Sequence, residues 1–372
     1  MGIRPKIDRA DLLSSLFCYA FYTCLPTSHR VWADVREALY KCSEQDLDPE
    51  LVQNQLISDL KYHPGSRAPV SRSHQFQAFN WFSIQAEEFK WKLIPEFSSV
   101  LDKELEELPF VYRTYPRGDI SVTLLEENQD HLSHGTTGLI TWQGAYCLLD
   151  WAEWSEELKG KSVLELGSGI GQFGLTAVQS LQIKEFIFSD FHHSVLNYLH
   201  LNISLNLGNP PSMEELEEFM QRGYLEPYTA DTVRYSTKDY DVKSTTKVRV
   251  QHLDWRDYQS SLLPRVDIVV ASDIVFAKEL HRPLTDTLVD IINTNSCPAY
   301  IACTRRQEEG VVKAFLEMVE ERGLSSEIVY DRVYSPADGI IAHYEGLHPV
   351  KVFKIHQDSL RTEKPSKGKV YF

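Results

Sequence analysis

Val163-Leu164-Glu165-Leu166-Gly167-Ser168-Gly169-Ile170-Gly171-Gln172-Phe173-Gly174 decides the fold. Its first four residues read as a buried strand. Glycines follow, and they let the backbone turn tightly and approach a ligand with no Cβ in the way. Gln172 to Ser180 then carries helix periodicity. Strand, glycine loop and helix N-terminus together predict a nucleotide-sized pocket at the carboxyl end of a parallel sheet.

Outward from this stretch, strand and helix patterns alternate from Lys161 onward. The strands read as 161–166, 184–189, 247–253, 266–271, 298–304, 325–333 and 349–355. The fold class is therefore α/β, an open and mostly parallel sheet with helices on both faces. A long polar interval, 208–246, reads as an insertion before the third strand. Ahead of the sheet, 110–125 reads as a β-hairpin around Pro116-Arg117-Gly118-Asp119. Residues 1–108 read as a helical N-terminal region and 109–372 as the main domain. Within the first, Gln75 to Leu93 carries six aromatic residues, more than one exposed face should bear. They are expected to pack on the next domain, as core and not as a cofactor box.

The chain has 372 residues, of which 42% are hydrophobic, enough to bury a sizeable core. A formal net charge of −15 weighs against nucleic acid as a direct partner, because phosphate binding needs clustered Lys and Arg. It is compatible with a lysine presented by a partner protein. The most basic stretch, Arg361 to Lys369, reads as a solvated end. The six cysteines form no C-x-x-C pair and sit in apolar segments, which predicts a reduced protein without a metal site. The run Leu12 to Leu25 is too short to span a bilayer, and no secretory leader is visible. A cytoplasmic protein with no membrane association is expected.

The glycines alone leave the nucleotide open. Gly169-x-Gly171-x-x-Gly174 satisfies the dinucleotide fingerprint, and Asp190 lies near the spacing of a ribose-binding acid. A nicotinamide-dependent oxidoreductase fits that frame. The other frame, Glu165-x-Gly167-x-Gly169-x-Gly171, is the first motif of the seven-strand methyltransferases, which use S-adenosylmethionine. There Asp190, ending the second strand, takes ribose hydroxyls, since an ionised carboxylate only accepts hydrogen bonds. Leu253-Asp254-Trp255 closes the third strand, where Asp254 can accept from the adenine amine and Trp255 can cover the ring. Ala271-Ser272-Asp273 closes the fourth, beside the methyl group. The plainer readings are helix caps for Asp190 and Asp273 and a strand-end turn for Asp254. That all four sites fall at successive strand ends favours the methyltransferase frame.

His134-Gly135-Thr136-Thr137-Gly138-Leu139-Ile140-Thr141-Trp142, Val163 to Gly169 and Ile187-Phe188-Ser189-Asp190 resemble the elongation factor 2 lysine methyltransferase family. Tyr112-Arg113-Thr114-Tyr115 and Ser121-Val122-Thr123-Leu124 also resemble its segment before the catalytic domain. The resemblance is close over about residues 110 to 206, is carried by motifs at Leu253-Asp254-Trp255 and Ser272-Asp273, and is loose over the helical region. It implies a class I methyltransferase fold, S-adenosylmethionine as cofactor, and a protein substrate, elongation factor 2. It places Trp142, Gly167, Ser168, Gly169, Trp255 and Ser272 around the cofactor and Asp190 on its ribose. Asp273 opens a signature that the wider group writes Asp-x-x-Tyr, at the lysine channel. This chain has Phe276 where that Tyr is expected, so an aromatic wall remains without its hydroxyl. Asp273 is expected to orient the lysine amine or pass its proton to water. A catalytically degenerate binding protein of the same fold is the alternative that Phe276 raises. A monomer is expected.

Overall fold

The computed structural model describes residues 9–97 (save 25–26, 29, 46, 63–69 and 71), 110–127, 135–208, 238–240, 246–257, 264–305, 309–334 and 348–357. His134, most of the 208–246 insertion and the basic tail lie outside the described residues.

Four helices lead the chain: α1 (Arg9–Tyr22), α2 (Arg30–Glu44), α3 (Pro49–Tyr62) and α4 (Arg72–Glu88). Asp48 accepts from Glu50 N at 3.0 Å and starts α3, with Pro49 at its first position, where a missing N–H does no harm. Their apolar residues form a cluster of their own. The α4 aromatics turn into this cluster and not toward the sheet. Phe82 lies 5.7 Å from Phe17 of α1 and 4.6 Å from Phe97, and Trp81 lies 4.7 Å from Trp32 of α2. The apolar face of α1 needs cover, and α4 supplies it. The expectation that they pack on the next domain is thereby corrected.

Strands β1 (Phe110–Arg117) and β2 (Ile120–Glu127) pair antiparallel around Gly118, whose φ of +56° suits glycine. The free edge of β2 is taken by two asparagines one helical turn apart. Leu125 N donates to Asn202 Oδ1 and Thr123 N to Asn206 Oδ1, both at 2.8 Å. These satisfy backbone groups that would otherwise be stranded in a buried place. The turn just after α1 reaches the hairpin, with Cys24 Sγ 3.6 Å from Tyr112 O.

The main sheet holds β3 (Ser162–Leu166), β4 (Glu185–Asp190), β5 (Lys238–Tyr240), β6 (Lys247–His252), β7 (Ile268–Ser272), β8 (Ala299–Thr304), β9 (Leu324–Arg332) and β10 (Val350–Gln357). Their order is β5-β6-β4-β3-β7-β8-β10-β9. The run β6 to β8 is parallel, and β10 lies antiparallel to both its neighbours. The seven strands read from sequence are all present. An eighth, β5, lies inside the insertion and pairs antiparallel with β6.

Strand alternation then fixes the two cores. Val163, Phe186, Phe188 and Val270 point to α5 (Gln143–Ser155), α6 (Gln172–Ser180), α7 (His193–Leu207) and the hairpin. Leu164, Leu166, Ile187 and Val269 point to α8 (Lys278–Asn295) and α9 (Glu309–Glu321). Both faces are covered, so the central strands are apolar throughout, as a parallel sheet requires. The carboxyl ends of β3, β4, β6 and β7 are left side by side at one edge of the layers.

Candidate active site

A cavity of about 380 Å³ opens at those strand ends. The loop after β3 forms its floor, with Gly167, Gly169 and Gly171 at φ of +62°, +54° and +95°. The glycines face different things. A Cβ on Gly167 would meet Ile274 at 2.7 Å and Trp255 at 3.6 Å, and one on Gly169 would meet Gly138 O at 3.1 Å. Both line the cavity. Gly171 and Gly174 do not. A Cβ on Gly171 would strike Leu199 at 2.6 Å, and one on Gly174 would strike Phe188 at 2.2 Å and Phe186 at 2.4 Å. Those two glycines let α6 lie close on α7 and β4. The glycines that can approach a ligand are thus Gly167, which only the frame beginning at Glu165 contains, and Gly169, which both frames share.

Ser168 locks this loop to β4. Its N–H donates to Ser189 O at 2.8 Å, and its Oγ accepts from Ser189 N at 2.9 Å. Asp190 ends β4. Its Oδ1 accepts from Phe191 N at 2.8 Å and His192 N at 3.0 Å, and its Oδ2 accepts from Gly169 N at 3.2 Å. Burial raises its pKa, and these three donors pull it back. Asp190 is therefore a brace for two loops, while His192 holds the N-cap position of α7. Beneath them lies Glu165, which burial pushes up to about 8. Its Oε2 and the Oε1 of Gln172 are buried without a hydrogen-bond partner among the described residues.

Trp142 stands across from the loop at the N-cap of α5, its indole N–H donating to Thr137 O at 2.8 Å. The preceding Thr141 donates to Glu126 Oε1 at 2.7 Å, and Glu126 also accepts from Arg113 at 2.8 Å and Tyr115 at 2.5 Å. A buried network of the hairpin thus holds the Trp142 wall. Trp255 covers the third side. Asp254 does not line the cavity. Its carboxylate takes the Arg256 guanidinium, at 2.9 Å to Nε and 2.8 Å to Nη2, and this partner holds it below the usual range despite some desolvation. Ala271 is also off the cavity, fully buried inside β7 between the facing strands. Ser272, the next residue, does line it.

Asp273 sits at φ +53°, a strained conformation for a non-glycine. Its carboxylate accepts from Gly144 N at 2.8 Å, Thr304 N at 2.8 Å and Thr304 Oγ1 at 2.9 Å. It therefore ties the start of α5 and the end of β8 to the end of β7. A side chain at 144 would collide with it, since a Cβ there would lie 2.7 Å from Oδ2. Phe276 forms part of the open rim and is 49% exposed.

Ten of the twelve residues singled out in the sequence line one cavity; Asp254 and Ala271 are the exceptions. Sequence reasoning passed over Gln172, Phe191, Arg256 and Glu279, which also line it. Phe191 and Arg256 each follow a named residue by one position, and the Arg256 guanidinium lies 4.9 Å from the Phe191 ring centre. Gln172 opens a helix pointed at the loop. Glu279 follows Phe276 by three positions, a spacing that does carry a signal once α8 is placed.

A profile of the lysine methyltransferase family matches residues 122–219 and 228–322. The chain belongs to that family. Protein-lysine N-methyltransferase EEF2KMT of Bos taurus is 30% identical over 320 residues, covering 83% of this chain and 88% of the bovine protein. The Mus musculus protein of the same name is 32% identical over 254 residues, 66% of this chain and 65% of the mouse protein. The Homo sapiens one is 44% identical over 208 residues, 53% and 54%. The chain thus spans just under two thirds of the mouse relative and about half of the human one in these alignments. Family membership gives the reaction class, S-adenosylmethionine-dependent methylation of lysine.

Proposed function

We propose that this chain transfers methyl groups from S-adenosylmethionine to a lysine of elongation factor 2, as a cytoplasmic monomer that requires neither nucleic acid nor a membrane surface. Among the described residues no helix is long and apolar enough to cross a membrane. The observation that carries the reading is the orientation of the glycines. Gly167 and Gly169 face the cavity, whereas Gly171 and Gly174 are spent on helix packing. A dinucleotide frame would turn Gly171 toward a pyrophosphate.

The residues present fit the cofactor. Glu165 Oε2 and Gln172 Oε1 are buried acceptors in need of donors, which an ammonium group supplies. Asp190 has about four lone-pair sites and three are filled, so Oδ2 retains one for a ribose hydroxyl. Trp142 and Trp255 provide apolar walls. When bound, the cofactor supplies a sulfonium methyl group for in-line displacement by the lysine amine.

The chain's own contribution is position and desolvation. Lysine has a free pKa of about 10.4 and arrives charged. Past the open rim at Phe276, the buried apolar wall at Ile274 disfavours the ammonium, so the lysine gives its proton to water and its lone pair is free for attack. Asp273 acts as a positioning residue, since its carboxylate holds α5 and β8 around the methyl-transfer point. Titration with adenosylhomocysteine and with a nicotinamide dinucleotide tests the cofactor half of the reading. Tight binding of the dinucleotide alone would refute it. Incubation with labelled adenosylmethionine and a whole-cell lysate tests the other half, with label expected in the elongation factor 2 band.

A further inference from the structure

Four carboxylate side chains line the cavity; two are occupied by its construction, and a third, Glu165, has a buried oxygen already assigned to the cofactor's ammonium group. Glu165 is buried beneath the glycine loop. Asp190 braces that loop through three N–H groups. Asp273 ties three elements together. Glu279 differs from all of them. It is solvent-exposed in the first turn of α8, and its carboxylate has no hydrogen bond or ion pair among the described residues. A carboxylate in a first helical turn also favours the helix dipole. That accounts for the charge on α8 but not for its placement on the cavity wall beside the exposed ring of Phe276.

The charge balance of the rim points the same way. The other exposed ion on the wall is Arg256, and Asp254 neutralises it through a bidentate pair. Among the described residues that line the rim, Glu279 is left as the exposed charge without an ion pair, and it is negative; its exposed neighbour Lys278 does not line the cavity. The ligand that must pass this rim is a side chain carrying a positive charge. We propose that Glu279 receives the ammonium group of the target lysine at the mouth of the channel and hands it past Phe276 toward the methyl donor. Glu279 is then a specificity-determining residue that acts in substrate capture. Its carboxylate is not present at the transfer point, where it would hold the proton on the amine. This assignment rests on the methyl-transfer reading above.

The test is steady-state methylation of purified elongation factor 2 by the full chain, at low and at physiological ionic strength. For an exposed pair, E279Q should raise KM about threefold and E279K about tenfold at low salt, with kcat within about twofold. Added salt should shrink the difference, because it screens exposed charges. E279D should keep most of the wild-type KM, and adenosylhomocysteine affinity should be the same in all variants. An unchanged KM in E279K would overturn the role of Glu279 alone, as would a KM effect indifferent to salt. So would a fall in kcat at constant KM. Absence of methylation by the wild-type chain with adenosylhomocysteine binding intact would overturn the methyl-transfer reading, and this assignment with it.

Discussion

The two ends of the cavity are built differently. At the cofactor end, Ser168, Asp190 and the Trp142 indole N–H are held by partners within the protein, whereas Glu165 Oε2 and Gln172 Oε1 are buried without one among the described residues. Ser168, Asp190 and the glycines are held to each other by strand-end backbone. At the lysine end, Phe276 stands just ahead of α8 and Glu279 in its exposed first turn. The difference teaches where each kind of recognition comes from. A small cofactor is held by a preformed pocket, whereas a lysine belonging to a folded partner needs an open rim that the partner can reach.

The largest expected effect is at the braced end. Asp190→Ala removes a ribose acceptor and strands three N–H groups, so adenosylhomocysteine affinity should fall roughly tenfold to a hundredfold by calorimetry. Unchanged affinity would show the ribose to lie elsewhere.

The glycine pair comes next and divides the loop. Gly174→Ala drives a methyl group into Phe186 and Phe188 and should cost about 1–3 kcal/mol of stability, with cofactor affinity kept in the folded fraction. Gly167→Ala, at φ +62° and facing the cavity, should instead weaken adenosylhomocysteine binding. Equal effects of the two on affinity would erase the distinction between the frames.

Glu165 gives a smaller effect with a definite sign. Its carboxyl titrates near its ordinary value of 4.5 when unfolded and at about 8 when folded. Between those values Glu165 is more protonated in the folded cofactor-free chain, so its own contribution to stability should decline as pH rises from 5 to 8, while buried His74, lowered to about 4, acts in the opposite sense at the acid end. Glu165→Gln should flatten that decline in denaturant titrations at the two ends of the window. A Glu165→Gln chain with the same pH dependence as the wild type would contradict the burial of this carboxyl.

The smallest effect belongs to the open end. Phe276→Tyr adds a hydroxyl at an exposed ring, and kcat should stay level or rise. Complete loss of activity would mean that the channel is shaped around Phe.

Much of this was legible from residue order. The central strands β3, β4, β7 and β8 are largely apolar, β6 and β10 alternate apolar with polar residues, and the ends of β4 and β7 carry the acids Asp190 and Asp273. The exceptions have physical causes. β5 is three residues long inside a polar stretch, too short for any periodicity to mark it. Asp254 looked like a strand-end acceptor, but a guanidinium two residues on claims it locally. Ala271 and Ser272 differ by one position, and strand alternation sends only the second to the cavity. The bracing role of Asp273 depends on Gly144 and Thr304, which lie 129 and 31 residues away. The α4 aromatics were recognised as core, yet their partners on α1 and α2 are set by how four helices pack, which composition does not specify.

Mass spectrometry of purified elongation factor 2, incubated with this chain and adenosylmethionine, tests the central claim most directly. The account predicts methyl mass increments confined to lysine and lost with Asp190→Ala. An unmodified factor, from a chain that binds adenosylhomocysteine tightly, would contradict it.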